Sequence, residues 1–265
     1  MRKSVLLAAV TAAALALAGC GGATTAGTPA PAAPVPVASI TDAGQLADAL
    51  TKATQGKNSA TMKMEITAAG QTFGGDGAYS INGDAVTMRL NFTLPGQAAP
   101  LELRLVDRTI YVKLPAGAGG QGWLKVPVDA NNPQTAEFAK LIDQVDIAKQ
   151  YDQFRTAGVL KGQAPDTVDG VPTTRYDLTV DVAEAIAAAP SEEARTQLEP
   201  LAQAGVKTLD MQIWADAENL PRQIRSSFTA QGQNASATIK LSDWGAPVTV
   251  EAPPADQVLE LPAGG

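Results

Sequence analysis

An α+β fold, one antiparallel sheet with helices on one face, is what the 265-residue chain predicts. Three observations carry that reading. Apolar and polar residues alternate with period two between positions 61 and 114, and again between 209 and 241. Apolar residues recur three and four apart in the stretches 41–53 and 134–158. Glycine, asparagine and aspartate punctuate the alternating runs where hairpins need turns.

In chain order, Thr41 and Asp42 supply capping oxygens for a first helix. Leu46, Ala49, Leu50 and Ala53 mark its apolar stripe, and Gly56 ends it. Met62, Met64, Ile66 and Ala68 then alternate with Thr61, Lys63, Glu65 and Thr67, a strand with one buried and one wet face. Gly70 and the pair Gly74-Gly75 interrupt the pattern, and Tyr79 and Ile81 lead into an Asn82-Gly83-Asp84 hairpin turn. Val86, Met88, Leu90, Phe92 and Leu94 continue the alternation up to Pro95-Gly96, and Leu101, Leu103 and Leu105 follow. A turn at Asp107-Arg108, a strand over 109–114, a glycine-rich loop and Trp123-Leu124-Lys125-Val126 complete a meander of four or five strands.

From Gln134 the period lengthens. Phe138, Leu141, Ile142, Val145 and Ala148 form an amphipathic helix ending near Gly158. Asp169-Gly170, flanked by Val168 and Val171-Pro172, is the turn of a hairpin whose return strand covers 175–180. Helical sequence occupies 182–188 and 190–204, with Pro200 kinking or ending the second piece. Strands return with Leu209, Met211 and Ile213, then Ile224, Ser226 and Phe228, then Ala237, Ile239 and Leu241. Val248 and Val250 precede a proline-rich segment read as irregular, and 256–265 is expected to be a flexible tail.

Residues 1–20 have their own logic. Arg2 and Lys3 precede an apolar run from Val5 to Ala18, and Leu17-Ala18-Gly19-Cys20 closes it. This is a secretory signal, too short for a membrane-spanning helix, which needs roughly 20 apolar residues. Its last four residues match a lipobox, in which the Cys20 thiol takes a diacylglyceryl group and becomes the new N-terminus. Cleavage after residue 19 leaves the chain's single cysteine at the position that chemistry requires. One acyl chain holds a protein to a bilayer only marginally; the two or three of a bacterial lipoprotein suffice. Residues 20–38, with four prolines, form a tether reaching on the order of 50 Å from that anchor. A single domain over 39–255 follows.

Composition narrows the chemistry. The net charge of −7 gives no grip on nucleic acid or on anionic headgroups, so membrane attachment falls to the acyl anchor. Histidine is absent, which excludes a Ser-His-Asp triad, a Cys-His dyad and histidine-ligated zinc. No phosphate-cradling loop, calcium-loop spacing or Ser-x-x-Lys motif is present. No catalytic residue, metal site or cofactor is expected beyond the acyl groups on Cys20. Glu192-Glu193 and Asp216 with Glu218 are the nearest carboxylate pairs; the first pair lies side by side on a helix and does not converge.

Several local signatures occur in a telling order. The lipobox and tether precede the capped helix and the meander. Then come Ile110-Tyr111-Val112-Lys113-Leu114, Trp123-Leu124-Lys125-Val126, Asp169-Gly170-Val171-Pro172-Thr173-Thr174-Arg175-Tyr176 and Ile213-Trp214-Ala215-Asp216 with Leu220-Pro221-Arg222. In that arrangement residues 40–250 resemble the actinobacterial LppX/LprAFG lipoprotein family and, more distantly, the LolA/LolB carriers. The resemblance implies a strongly curved antiparallel half-barrel, helices covering one face, and a hydrophobic cavity between them. It further implies an acylated lipid or lipoglycan as ligand, a lipid exporter as partner, transport across the envelope, and an anchored monomer on the extracytoplasmic face of the cell membrane.

The candidate cavity lining comes from the alternation: Met62, Met64, Ile66, Met88, Leu90, Phe92, Leu101, Leu103 and Leu105 in the early strands, with Met211, Ile213 and Phe228 in the later ones. Methionine adapts to irregular ligands, and an aromatic content of 5% leaves an aliphatic interior. Two rival readings stand beside this one. In one, the same residues fill an ordinary core and the closed domain docks another envelope protein; in the other, a carboxylate pair serves an unusual hydrolase.

Overall fold

Asp42 begins the first helix as a cap: its carboxylate accepts the Gln45 backbone N–H at 2.8 Å. A computed structural model of the protein describes residues 40–83, 85–93, 100–114, 122–128, 151–189 and 192–260. The signal, Cys20, the tether, Leu94 with Pro95-Gly96, the glycine-rich loop after Leu114 and the expected helix from Gln134 up to residue 150 lie outside those residues.

Four α-helices are described, α1 (Ala43–Thr54), α2 (Asp152–Ala157), α3 (Val182–Ala187) and α4 (Glu192–Gln203), with a 3-10 turn at Ala255–Gln257. The strands are β1 (Ser59–Ala68), β2 (Gln71–Asn82), β3 (Ala85–Thr93), β4 (Leu101–Val106), β5 (Thr109–Lys113) and β6 (Trp123–Pro127). They continue with β7 (Gly158–Val168), β8 (Val171–Asp181), β9 (Thr208–Ala215), β10 (Pro221–Ala230), β11 (Gln233–Ser242) and β12 (Val258–Glu260). All twelve lie in one open sheet, in the order β12-β6-β5-β4-β3-β2-β1-β11-β10-β9-β8-β7. Two antiparallel meanders are thus joined where β1 pairs with β11, and β12 lies parallel to β6.

The balance between helix and strand differs from the expectation: the described fold is mostly β. β2 runs unbroken through Gly74 and Gly75, which the sequence read as an interruption. β7 adds an eleven-residue edge strand whose polar sequence shows no alternation. The expected tail is also ordered at its start, because Val258 to Glu260 pair with Trp123 to Lys125. Between β11 and β12 the chain forms a strap on one face of the sheet. Ser59 Oγ donates to the Ala246 carbonyl at 2.6 Å, and Arg104 donates to the Glu251 carbonyl at 3.1 Å.

Register sorts the side chains. Tyr176, Ile213, Ile224, Ile239, Met64, Gly75, Phe92 and Leu101 stand opposite one another across eight successive strands, β8 to β4. One residue along, the neighbouring row is Arg175, Trp214, Gln223, Lys240, Lys63, Asp76, Asn91 and Glu102. Successive residues of a strand point to opposite faces, so the sheet has one apolar and one charged face. Arg89, Arg104, Lys113, Lys125 and Arg225 register with the second row's face.

The apolar face is filled at both ends. Leu46 and Leu50 of α1, fully buried, pack with Phe154 of α2 and with Tyr176, Leu178 and Ile213 of β8 and β9. Arg155 of α2 ion-pairs with Asp48 of α1 across that contact. At the other end Val86, Leu105, Ile110 and Val128 form a second cluster, with Met88, Leu103 and Val112 packed against it.

On the charged face Trp123 is buried under Arg104, whose guanidinium lies 4.5 Å from the ring centre. Glu102 bridges Arg104 at 2.8 Å and Lys113 at 3.0 Å. Partial burial pushes the Glu102 carboxyl up, but Arg104 and Lys113 overcome it and hold the group below its ordinary value.

Leu46→Ala should destabilise the protein by about 3 kcal/mol in a urea melt, because a fully enclosed leucine leaves a cavity. The depressed Glu102 carboxyl adds stability above its unfolded value, near pH 4.3, that is lost as pH falls through the lower folded value. The gap in melting temperature between wild type and Glu102→Gln should therefore narrow between pH 7 and pH 3.

Candidate functional site

The two clusters leave the middle of the apolar face to side chains that neither one incorporates. Of the twelve nominated residues, Leu105 is buried in the β3–β6 cluster, where Met88 and Leu103 pack against it. Ile213 is buried in the helical cluster, with Met211 packed against it. The remaining seven, Met62, Met64, Ile66, Leu90, Phe92, Leu101 and Phe228, are half-buried and belong to neither. The structure therefore brings all twelve to one face, but divides them into five that complete cores and seven that form an apolar seam.

β2 explains the seam's depth. Opposite Met62 and Met64 it presents only Gly77 and Gly75. A Cβ on Gly75 would sit 2.0 Å from the Asn91 carbonyl oxygen, and one on Gly77 would sit 2.5 Å from both the Arg89 carbonyl oxygen and Leu90 Cδ2. The main chains approach so closely there that only glycine fits, and Leu90 leans into the space a side chain would take. The strand contributes no side chain to the centre of the face.

Sequence reasoning left out further residues of the same face, among them Ile239, Leu241 and Tyr79. Ile239 and Leu241 of β11 stand opposite Met64 and Met62. Their alternation was visible, but their pairing with β1, about 180 positions away, was not. Tyr79 stands opposite Ala60 and Met88, and no local pattern distinguishes it from a core aromatic.

The charged face carries two clefts among the described residues, of about 460 and 560 Å³. Lys63, Glu65, Asp76 and Lys240 line the first; Thr67, Lys207, Arg225 and Ser236 line the second. The three tryptophans also have structural duties: Trp214 donates to Asp166 at 2.8 Å and Trp244 to the Pro221 carbonyl at 3.0 Å.

Asp216 and Glu192, one from each nominated carboxylate pair, are held in structural contacts. Asp216 accepts the Glu218 and Leu220 backbone N–H groups, each at 3.0 Å, and the Arg222 guanidinium at 2.7 Å, so it holds the loop between β9 and β10. Glu192 lies 3.7 Å from Arg195 on the surface of α4. No three acidic side chains gather as a metal site among the described residues.

An open antiparallel sheet with one apolar face, filled at its ends and half-buried between, defines the class of architecture. At the level of fold it is that of Mycobacterium tuberculosis lipoprotein LppX: the superposition covers 79% of this chain and 98% of that one, with a TM-score of 0.52 at 16% identity. LprF of Mycobacterium bovis aligns over 80% of this chain and 96% of its own, with a TM-score of 0.48 and 18% identity. The likeness to LppX meets, at the level of fold, the resemblance expected from the ordered motifs. In sequence, an uncharacterised 31.2 kDa protein of Streptomyces griseus is 28% identical over 153 residues, 55% of this chain and 50% of its own length. The chain spans about half of that curated relative. No family model matches.

The seam and the cores should respond differently to truncation. Ile213→Ala should cost about 3 kcal/mol, whereas Met64→Ala, with fewer contacts to lose, should cost about 1 kcal/mol or less in the same urea titration.

Proposed function

We propose that the protein is a membrane-anchored envelope lipoprotein that carries acylated lipid, with the acyl chains lying along the seam. One observation carries the reading: seven large apolar side chains lie in register on one face, half-buried and outside both filled clusters. Soluble domains do not ordinarily leave such a contiguous surface without an occupant. An acyl chain placed there gains on the order of 25 cal/mol for each Å² of apolar area removed from water, without a directional contact. The methionines of β1 adjust to chains of different shape.

In this reading the helices close a cavity over the seam, and Cys20 bears the diacylglyceryl and acyl groups that hold the protein at the extracytoplasmic face. The tether lets the domain leave the bilayer surface with its cargo, and a lipid exporter loads it. Among the described residues no helix is long and apolar enough to cross a membrane. The fold shared with LppX supports the reading, as does the sequence-level expectation of a lipobox.

Protein purified from membranes should carry lipid visible by native mass spectrometry. Met64→Trp or Leu90→Trp, which fills the seam, should lower uptake of a fluorescent fatty acid about tenfold or more, a loss of roughly 1.4 kcal/mol. Lys63→Trp, one residue away on the charged face, should leave uptake unchanged. Equal loss in Lys63→Trp, or none in either seam variant, sinks the proposal.

A further inference from the structure

The larger cleft of the charged face has a floor of short polar side chains. Strand pairing sets Asp210, Ser227, Ser236, Thr67 and Thr72 opposite one another on β9, β10, β11, β1 and β2. The next row on that face carries the longer Gln212, Arg225 and Glu65. Serine and threonine rise little above the main chain, so the sheet is low along their row and a cleft of about 560 Å³ opens over it. Small-molecule sites occupy roughly 300–1,000 Å³. The chain between α4 and β9 lines the cleft at Gly205, Lys207 and Thr208, and it is pinned. Gly205 turns left-handed at φ 79°, the buried Val206 donates to the Leu201 carbonyl at 2.9 Å, and the Lys207 carbonyl accepts the Val182 N–H at 3.0 Å.

The polar groups define the ligand. Among the described residues lining the cleft, Lys207 and Arg225 bring two cations against the one carboxylate of Asp210, in a chain whose net charge is −7. That local excess attracts an anion, and the planar guanidinium fork of Arg225 matches a phosphate. The serine and threonine hydroxyls each donate and accept. Thr229 donates to Asn234 at 2.7 Å through the amide oxygen, which leaves the Asn234 NH2 as a donor. Thr179 donates to Asp210 at 3.3 Å, and the carboxylate has further lone pairs for ligand hydroxyls. A bare anion would use the cations alone, and a neutral sugar only the hydroxyls and the carboxylate. The neighbouring cleft of about 460 Å³ lacks this set: Lys63 and Lys240 are balanced there by Glu65 and Asp76, and Asp169 holds Lys240 at 2.7 Å.

We propose that this cleft binds a sugar phosphate, with the phosphate on Arg225 and Lys207 and the sugar hydroxyls on Asp210, Ser227 and Ser236. The site lies on the face of the sheet opposite the apolar row and does not rest on the lipid-carrier reading. Both kinds of group are needed together, so the phosphate and the sugar ring each raise the affinity that the other gives alone.

The test is titration calorimetry of the full-length protein in detergent micelles with three probes: glucose 6-phosphate, glucose and inorganic phosphate. Wild type should bind glucose 6-phosphate about tenfold or more tightly than either of the others. Arg225 is exposed, so Arg225→Gln leaves the core intact; it should weaken glucose 6-phosphate binding about tenfold, the value of a charge-assisted hydrogen bond. Ser227→Ala should weaken it about fivefold, the value of one neutral hydrogen bond. Lys240→Gln, which removes the same charge from the neighbouring cleft, should leave binding unchanged, as should Met64→Trp in the seam. Glucose or inorganic phosphate bound as tightly as the sugar phosphate overturns the assignment. So does equal loss in Lys240→Gln and Arg225→Gln, or a wild type that binds none of the three, and lipid uptake is untouched by each of these results.

Discussion

The structure depends on one constraint, the hydrogen-bonded register between β1 and β11. Strands repeat every two residues, so a slip of one position there would carry Lys63 to the apolar face and Met64 to the charged one. That pairing joins the two meanders, and with it in place the apolar row continues from Tyr176 through Met64 to Leu101. The cost of burying Lys63 or Lys240 without a partner makes the slipped register unfavourable. The separation of faces therefore enforces the register that produces it.

A second consequence follows from where the fillers end. α1 and α2 reach Tyr176 and Ile213, and the second cluster gathers around Leu105 and Ile110. Between them β2 offers Gly75 and Gly77, whose missing side chains neither fill the centre nor support Met62 and Met64 from the side. Close packing stops where side chains stop, and a half-buried apolar strip remains. Close approach of backbones and space above the strand are thus two results of the same glycines.

The charged face and the edges keep the sheet an isolated, open layer. Trp123 under Arg104 and the Glu102 pairs tie β4, β5 and β6 together, Arg104 joins β4 to the strap at Glu251, and Ser59 joins β1 to it at Ala246. Lys240 reaches Asp169 at 2.7 Å, bringing the β7–β8 turn back over β11. At the free edge, β7 carries Pro165 and an irregularity between Leu160 and Gly162. Both features interrupt the ladder that another chain would use for pairing.

Much of this was legible locally. The Asp42 cap, the Leu46–Leu50 stripe, the turns at Gly83, Asp107-Arg108 and Asp169-Gly170, and the alternation in β1, β3, β4, β9, β10 and β11 all arise from neighbouring residues. Alternation also placed the nominated residues of each strand on one side of that strand, and the register of the sheet brought those sides to a common face. Other features depend on partners far along the chain. β7 is a strand because β8 supplies its hydrogen bonds, and Val258–Glu260 pair only because β6 has a free edge. Gly74 and Gly75 read as a break because local sequence registers a lost side chain but not the strand that approaches in its place. By itself the sequence determined the period, the caps and the two-sided character of the strands, since each is set by steric and solvation preferences within a few residues. Only the tertiary structure decided which apolar residues are enclosed and which form the seam, because enclosure depends on what packs above a side chain, and that is a property of the assembled sheet.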